Sequence, residues 1–182
     1  MVKQVKGSMF KMIVKAIRAN KSGAYDNLLS DKDQEFLSQN ILSASWYPFD
    51  IYKKCFNALA EVQAKGNMDI CMQWGRMEGE ATMTTIYKQS IIEGDPRKAM
   101  DKFRRFFKLM YDFGELVMEY PSDNEMIITY KDFEPDFKIL YYVGQGWVER
   151  FLELCGSKDL KSKFIAKSWE GAEETKIHVT WQ

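Results

Sequence analysis

The side chains able to do metal, redox or nucleophilic chemistry are few in this sequence. It holds one histidine, His178, and three cysteines, Cys55, Cys71 and Cys155, widely spaced and without a CxxC pair. A zinc or iron site needs three or four convergent ligands of Cys, His or carboxylate type. This set supplies no standard site, so no metal is expected and the thiols are read as small buried hydrophobes. A Cys155–His178 nucleophilic pair would need a thiol of lowered pKa and a third, orienting group, and nothing marks either. His178 is expected on the wet face of a strand beside Lys176. Gly144-Gln145-Gly146 could face a phosphate, but lacks the preceding strand and third glycine of a nucleotide-binding loop; it reads better as a bend in a packed helix. Glu149 and Glu153, four apart with Arg150 beside them, are of the acid–base type, yet carboxylates on a surface helix are ordinarily solvated. No catalytic residue is assigned, and the chain is read as a non-enzyme.

Two larger patterns bear on binding. Arg97, Lys98, Lys102, Arg104, Arg105 and Lys108 crowd one side of a helix against a single Asp101, while Met100, Phe103, Phe107, Met110 and Tyr111 form the other. A basic amphipathic helix can grip an acidic partner, a nucleotide or an anionic membrane surface; the same pattern also suits a structural helix with a solvated face. The second pattern is aromatic: Trp46, Tyr47, Phe56, Trp74, Tyr87, Phe107 and Trp147 come from four predicted helices or their starts. They are core or the lining of an apolar pocket. In the pocket reading the hydroxyls of Tyr52 or Tyr87, or Arg150, supply the polar end.

The elements carrying these residues follow from periodicity. Helical spacing is predicted over residues 8–19, about 30–38, 48–64, 68–92 and 97–111. Ser30 and Asp33 form a capping-box-like start, Pro48 is placed at a first helical position, Gly75 and Gly79 allow close helix contact or a bend, and Gly94-Asp95-Pro96 stops one helix and starts the next. After Gly114 the period changes. Residues 115–120 and 125–131 read as a hairpin, 140–155 as a helix ending at Gly156, and 161–169 and 174–182 as a last strand pair. The expected fold is α+β: an N-terminal layer of about five helices packed on a four-stranded antiparallel sheet in ββαββ order. The whole, 1–182, is read as one domain with a helical part (1–112) and a part of sheet plus one helix (113–182).

Composition sets limits on function. A chain of 182 residues with 46% apolar content can bury a core without disulfides or metal. Lys plus Arg equals Asp plus Glu at 26 each, so no overall field steers it to nucleic acid, and nucleic acid is not an expected partner. The odd cysteine count points to a reducing, cytoplasmic compartment. No signal-peptide pattern and no transmembrane-length apolar run are present.

Several motifs occur together: Ser45-Trp46-Tyr47-Pro48 opening a helix, residues 146–156 (GWVERFLELCG) forming the late helix, and an ending with Trp169, Gly171, Ile177, Val179 and Trp181 on a strand pair. In this order they resemble a δ-proteobacterial paralogous family of unknown function related to the heme-NO-binding and 4-vinyl-reductase-like sensor domains. The resemblance implies a bacterial sensory or adaptor role, frequent homodimerisation and, in some relatives, an internal tunnel for apolar ligands. Heme-binding members carry a proximal histidine on a helix and a Tyr-x-Ser-x-Arg clamp. Here the histidine falls on a strand and the clamp is absent, so no cofactor, heme included, is expected. The function expected is sensory: a small apolar or amphipathic ligand held between helices and sheet, with occupancy passed to a separate signalling protein. The alternative is an interaction adaptor working through the basic helix at 97–111.

Overall fold

The computed structural model describes residues 2–85, 88 and 91–182. The chain divides into two compact units, residues up to 67 with 109–113, and residues 68–108 with 114–182.

The first unit holds α1 (Gly7–Ala19), α2 (Asp31–Ser38) and α3 (Phe49–Ala64), with a short antiparallel ladder of β1 (Gln4–Lys6) and β2 (Trp46–Pro48). α1 buries Phe10, Ile13, Val14 and Ile17 at helical spacing. Its Arg18 donates from Nε to the Leu37 carbonyl at 2.6 Å and from Nη2 to the Gln39 carbonyl, satisfying the orphan acceptors that end α2. Ser30 and Asp33 make the reciprocal capping box expected of them. Lys65 ends α3 in a left-handed conformation, φ 49°. The core is aromatic: Phe10 meets Tyr52 edge-on at 5.8 Å, and Phe49 meets Phe113 at 4.7 Å.

The second unit holds α4 (Met68–Thr85), α5 (Pro96–Met110, all but its last two residues), the hairpin β3 (Glu115–Ser122) and β4 (Glu125–Lys131), α6 (Lys138–Leu154), β5 (Lys161–Ala166) and β6 (Thr175–Thr180). The sheet is antiparallel, in the order β3-β4-β6-β5. Leu116, Met126, Ile128, Tyr130, Ile177 and Val179 are buried, the alternation that a half-wet sheet requires. The fold class is the expected one, with most helices in the N-terminal part and a four-stranded antiparallel sheet in ββαββ order.

Three boundaries differ. Pro48 closes β2 and precedes α3 instead of occupying its first turn, because Trp46–Pro48 pairs with Gln4–Lys6; the expected helical part therefore contains a small ladder. The strand expected over 161–169 stops at Ala166, and Trp169 lies in a 3-10 turn (Ser168–Glu170) where Ser168 Oγ reaches both Thr175 Oγ1 and the Pro135 carbonyl at 2.7 Å. The helix expected to Ile92 is described to Thr85; residues 86, 87, 89 and 90 lie outside the described residues.

Candidate functional site

The second unit is organised by a close crossing of α4 and α6. A Cβ placed on Gly75 would overlap the carbonyl oxygen of Val143, and one on Gly146 the carbonyl oxygen of Met72. Only glycine permits this approach. Gly144-Gln145-Gly146 is thus a stretch of packed helix rather than a phosphate loop. The crossing brings charges together. Arg76 Nη1 donates to Glu149 Oε2 at 2.8 Å and Nη2 to Glu153 Oε1 at 2.6 Å. Arg150 joins Glu153 and Glu80, both at 2.9 Å. Glu149 also accepts from Ser162 Oγ at 2.6 Å, and Ser162 in turn from Gln145 Nε2 at 2.6 Å, so the network ties α4 and α6 to β5. Burial alone would raise the Glu153 carboxyl; hydrogen bonds from Arg76 and Arg150 outweigh it and hold the carboxyl below its ordinary value. Glu149 and Glu153 are therefore paired rather than merely solvated, and Arg150 is committed to Glu80 and Glu153. Sequence reasoning missed Arg76, whose partners lie 73 and 77 residues away.

The aromatic candidates fall in both units. In the first, Tyr52 and Phe56 are buried edge-on to each other at 5.8 Å, Tyr47 accepts from the Leu42 N–H through its hydroxyl, and Trp46 stays partly exposed under Lys6 Nζ at 4.0 Å. The Tyr52 hydroxyl lies 3.5 Å from that of Tyr111. In the second unit, Trp147 stacks on Phe103 at 4.3 Å, and Phe107 packs against Tyr130 and Phe133. Trp74 is half-buried on α4. Tyr87 lies outside the described residues. One turn beyond Trp74 stands Glu78, half-buried, whose carboxyl burial pushes from 4.5 to about 7. The four-residue spacing from Trp74 to Glu78 is the signal that could have found it.

On α5 the cations Lys98, Lys102, Arg104, Arg105 and Lys108 are exposed. Arg97 instead turns to Asp123 Oδ1 at 3.0 Å and the Ser122 carbonyl at 3.1 Å. The three thiols are buried, and burial pushes that of Cys55 up to about 12. His178 pairs across the sheet with Glu125, Nε2 to Oε1 at 2.6 Å.

Among solved structures, the chain is similar to an H-NOX protein from S. oneidensis in the Fe(II)NO ligation state, with a TM-score of 0.67 at 11% identity over 97% of this chain and 99% of that one. The fold is that of the H-NOX domains. Two further similar structures are an oxygen-binding H-NOX domain related to soluble guanylate cyclases, in its oxygen complex (TM-score 0.63, 12% identity, covering 97% and 95%), and one from a study of heme distortion in the H-NOX family (0.64, 13%, 97% and 95%). No protein-family model matches the chain, and no curated protein sequence matches it.

These structures correct the expectation that this chain carries no cofactor: one is described in an Fe(II)NO ligation state and another through heme distortion, and heme is the group that the fold implies. The side chains here do not fit the histidine-ligated form. The one histidine stands on β6 with its ring nitrogen on Glu125, and the buried face of α5 presents Ala99, Met100, Phe106 and Phe107. Cys55, with its pKa near 12, is a neutral thiol and not the thiolate that binds iron. Among the described residues no group of three or more His, Cys, Asp or Glu side chains is arranged to hold a metal ion. None of their helices is long and apolar enough to cross a membrane.

Proposed function

We propose that this chain is a non-enzymatic sensory domain that binds an apolar or amphipathic ligand and reports its occupancy to a separate signalling protein. The observation that carries the reading is the H-NOX fold over 97% of the chain. The charge network supports it, because the groups best suited to acid–base work, Glu149, Glu153 and Arg150, are spent on holding α4 to α6. Trp74 and Glu78, half-buried one turn apart on α4, suit an amphipathic ligand: an indole for its apolar body and a carboxyl able to stay neutral near pH 7 for its polar end. Occupancy becomes a signal only through different affinities for two states of the domain.

Heme is the first ligand to test, since a solved structure of this fold is described through its heme. Titration of the purified chain with hemin, followed by tryptophan fluorescence, is expected to saturate at one per chain, and Trp74→Ala is expected to weaken it. Quenching that never saturates, together with an unaltered titration in Trp74→Ala, would overturn the ligand reading. A second reading, an adaptor that binds an acidic partner through α5, is favoured by the exposed guanidinium groups of Arg104 and Arg105.

A further inference from the structure

At one end of the sheet in the second unit lies a cleft of about 370 Å³, within the size range of small-molecule sites. Its walls are the start of α5 (94–97), the β3–β4 turn (123–124), the segment after α6 (155–157) and residues 181–182. Asp95 caps α5, its Oδ1 accepting from the Lys98 N–H at 3.0 Å, so the positive end of the helix dipole opens on the cleft.

Two polar atoms in this lining have no partner: Arg97 Nε and Ser157 Oγ are both buried and make no hydrogen bond. Ser157 is only 8% exposed. Buried donors are nearly always satisfied, and those that are not mark strain or a missing ligand. The rest of the Arg97 guanidinium is held in place, over the Tyr120 ring at 4.7 Å and on Asp123 and the Ser122 carbonyl. Asp123 is 95% exposed, so its ion pair is a weak surface one that an incoming anion can displace. The two side-chain carboxylates of the lining are already engaged, Asp95 with the Lys98 N–H and Asp123 with Arg97. What remains is a guanidinium N–H, which can only donate, and a hydroxyl, which can donate or accept. The guanidinium N–H demands an acceptor, the hydroxyl can donate to the same one, and the helix end favours a negative one. Buried Trp181 gives the cleft an apolar wall.

We propose that this cleft binds a small oxyanion, the carboxylate or phosphate of a small molecule, held by donation from Arg97 Nε and Ser157 Oγ at the N-terminus of α5. The site is independent of the sensory reading above.

The test is a titration of the ¹⁵N-labelled full chain with inorganic phosphate and, separately, with acetate, at ionic strength held constant with chloride. The Arg97 Nε–H resonance and the Ser157 amide are expected to shift saturably with one of the two, which identifies the class. Arg97→Gln and Ser157→Ala are each expected to weaken binding about tenfold, the scale of losing one hydrogen bond to a charged group. Lys11→Gln, on the exposed face of α1, is expected to leave it unchanged. Shifts that stay linear, or that chloride reproduces, would mean an adventitious ion only and overturn the proposal. So would a Ser157→Ala chain, folded by circular dichroism, that titrates as the parent does.

Discussion

Replacing Glu78 with glutamine tests whether this carboxyl is held in an apolar setting. Burial moves it from 4.5 to about 7. The linkage has a definite sign. Below the lower value both the folded and the unfolded chain are protonated and the residue has no pH-dependent effect. Between the two values the unfolded chain ionises while the folded one resists, so stability falls as pH rises; above the upper value the loss is constant. Each tenfold difference in proton affinity between the folded and unfolded chain is worth about 1.4 kcal/mol, so the ceiling is about 3 kcal/mol. A half-buried carboxylate regains some water by small movements, which keeps the effect at or below that ceiling. Urea unfolding of the parent and of Glu78→Gln at about pH 5 and about pH 8 reads it directly. The variant is expected to gain on the parent by up to about 2.5 kcal/mol between those conditions, roughly 1 M in midpoint for a slope of about 2 kcal/mol per molar. A stability difference that is the same at both pH values would refute the reasoning.

Other substitutions probe the scaffold and the basic face. Arg76→Met leaves Glu149 and Glu153 without their shared cation and is expected to cost about 2–3 kcal/mol in chemical unfolding. Because Glu153 is held below its ordinary value, it contributes stability above the unfolded pKa that is lost as pH falls through the folded one; Arg76→Met is expected to flatten that acid limb. Gly75→Ala drives a methyl into the Val143 carbonyl and is expected to lower stability by at least about 2 kcal/mol, seen as a drop in Tm. Arg104→Glu with Arg105→Glu is expected to leave Tm nearly unchanged and to abolish capture of an acidic partner or of phosphatidylserine vesicles; unchanged capture would remove the adaptor reading.

Local chemistry was legible in the sequence and long-range pairing was not. The Ser30–Asp33 capping box, the 115–131 hairpin and the apolar stripe of α1 depend on neighbours a few residues apart, and the sequence shows them. The β1–β2 ladder joins residues some forty positions apart through strands of three residues, too short to show a period. Arg76 carries no sign of Glu149 or Glu153 until α4 and α6 cross; Gly75 and Gly79 suggested a close contact but not its partner. Ser157 looks ordinary in sequence, and its hydroxyl stands out only because the folded chain leaves it unsatisfied. The expectation of no cofactor came from a histidine and a clamp motif, which report on ligating side chains. The similar solved structures share only 11–14% identity with this chain, so a cofactor that accompanies the fold leaves no mark at that level.

Native mass spectrometry of the freshly purified chain tests the central claim most directly. A sensory ligand-binding domain is expected to carry a non-covalent mass, its own ligand or hemin supplied at one equivalent, released on collisional activation; a doubled mass in the same spectra would report the homodimer. A chain that appears only as bare polypeptide, both as purified and after hemin is added, would contradict the account.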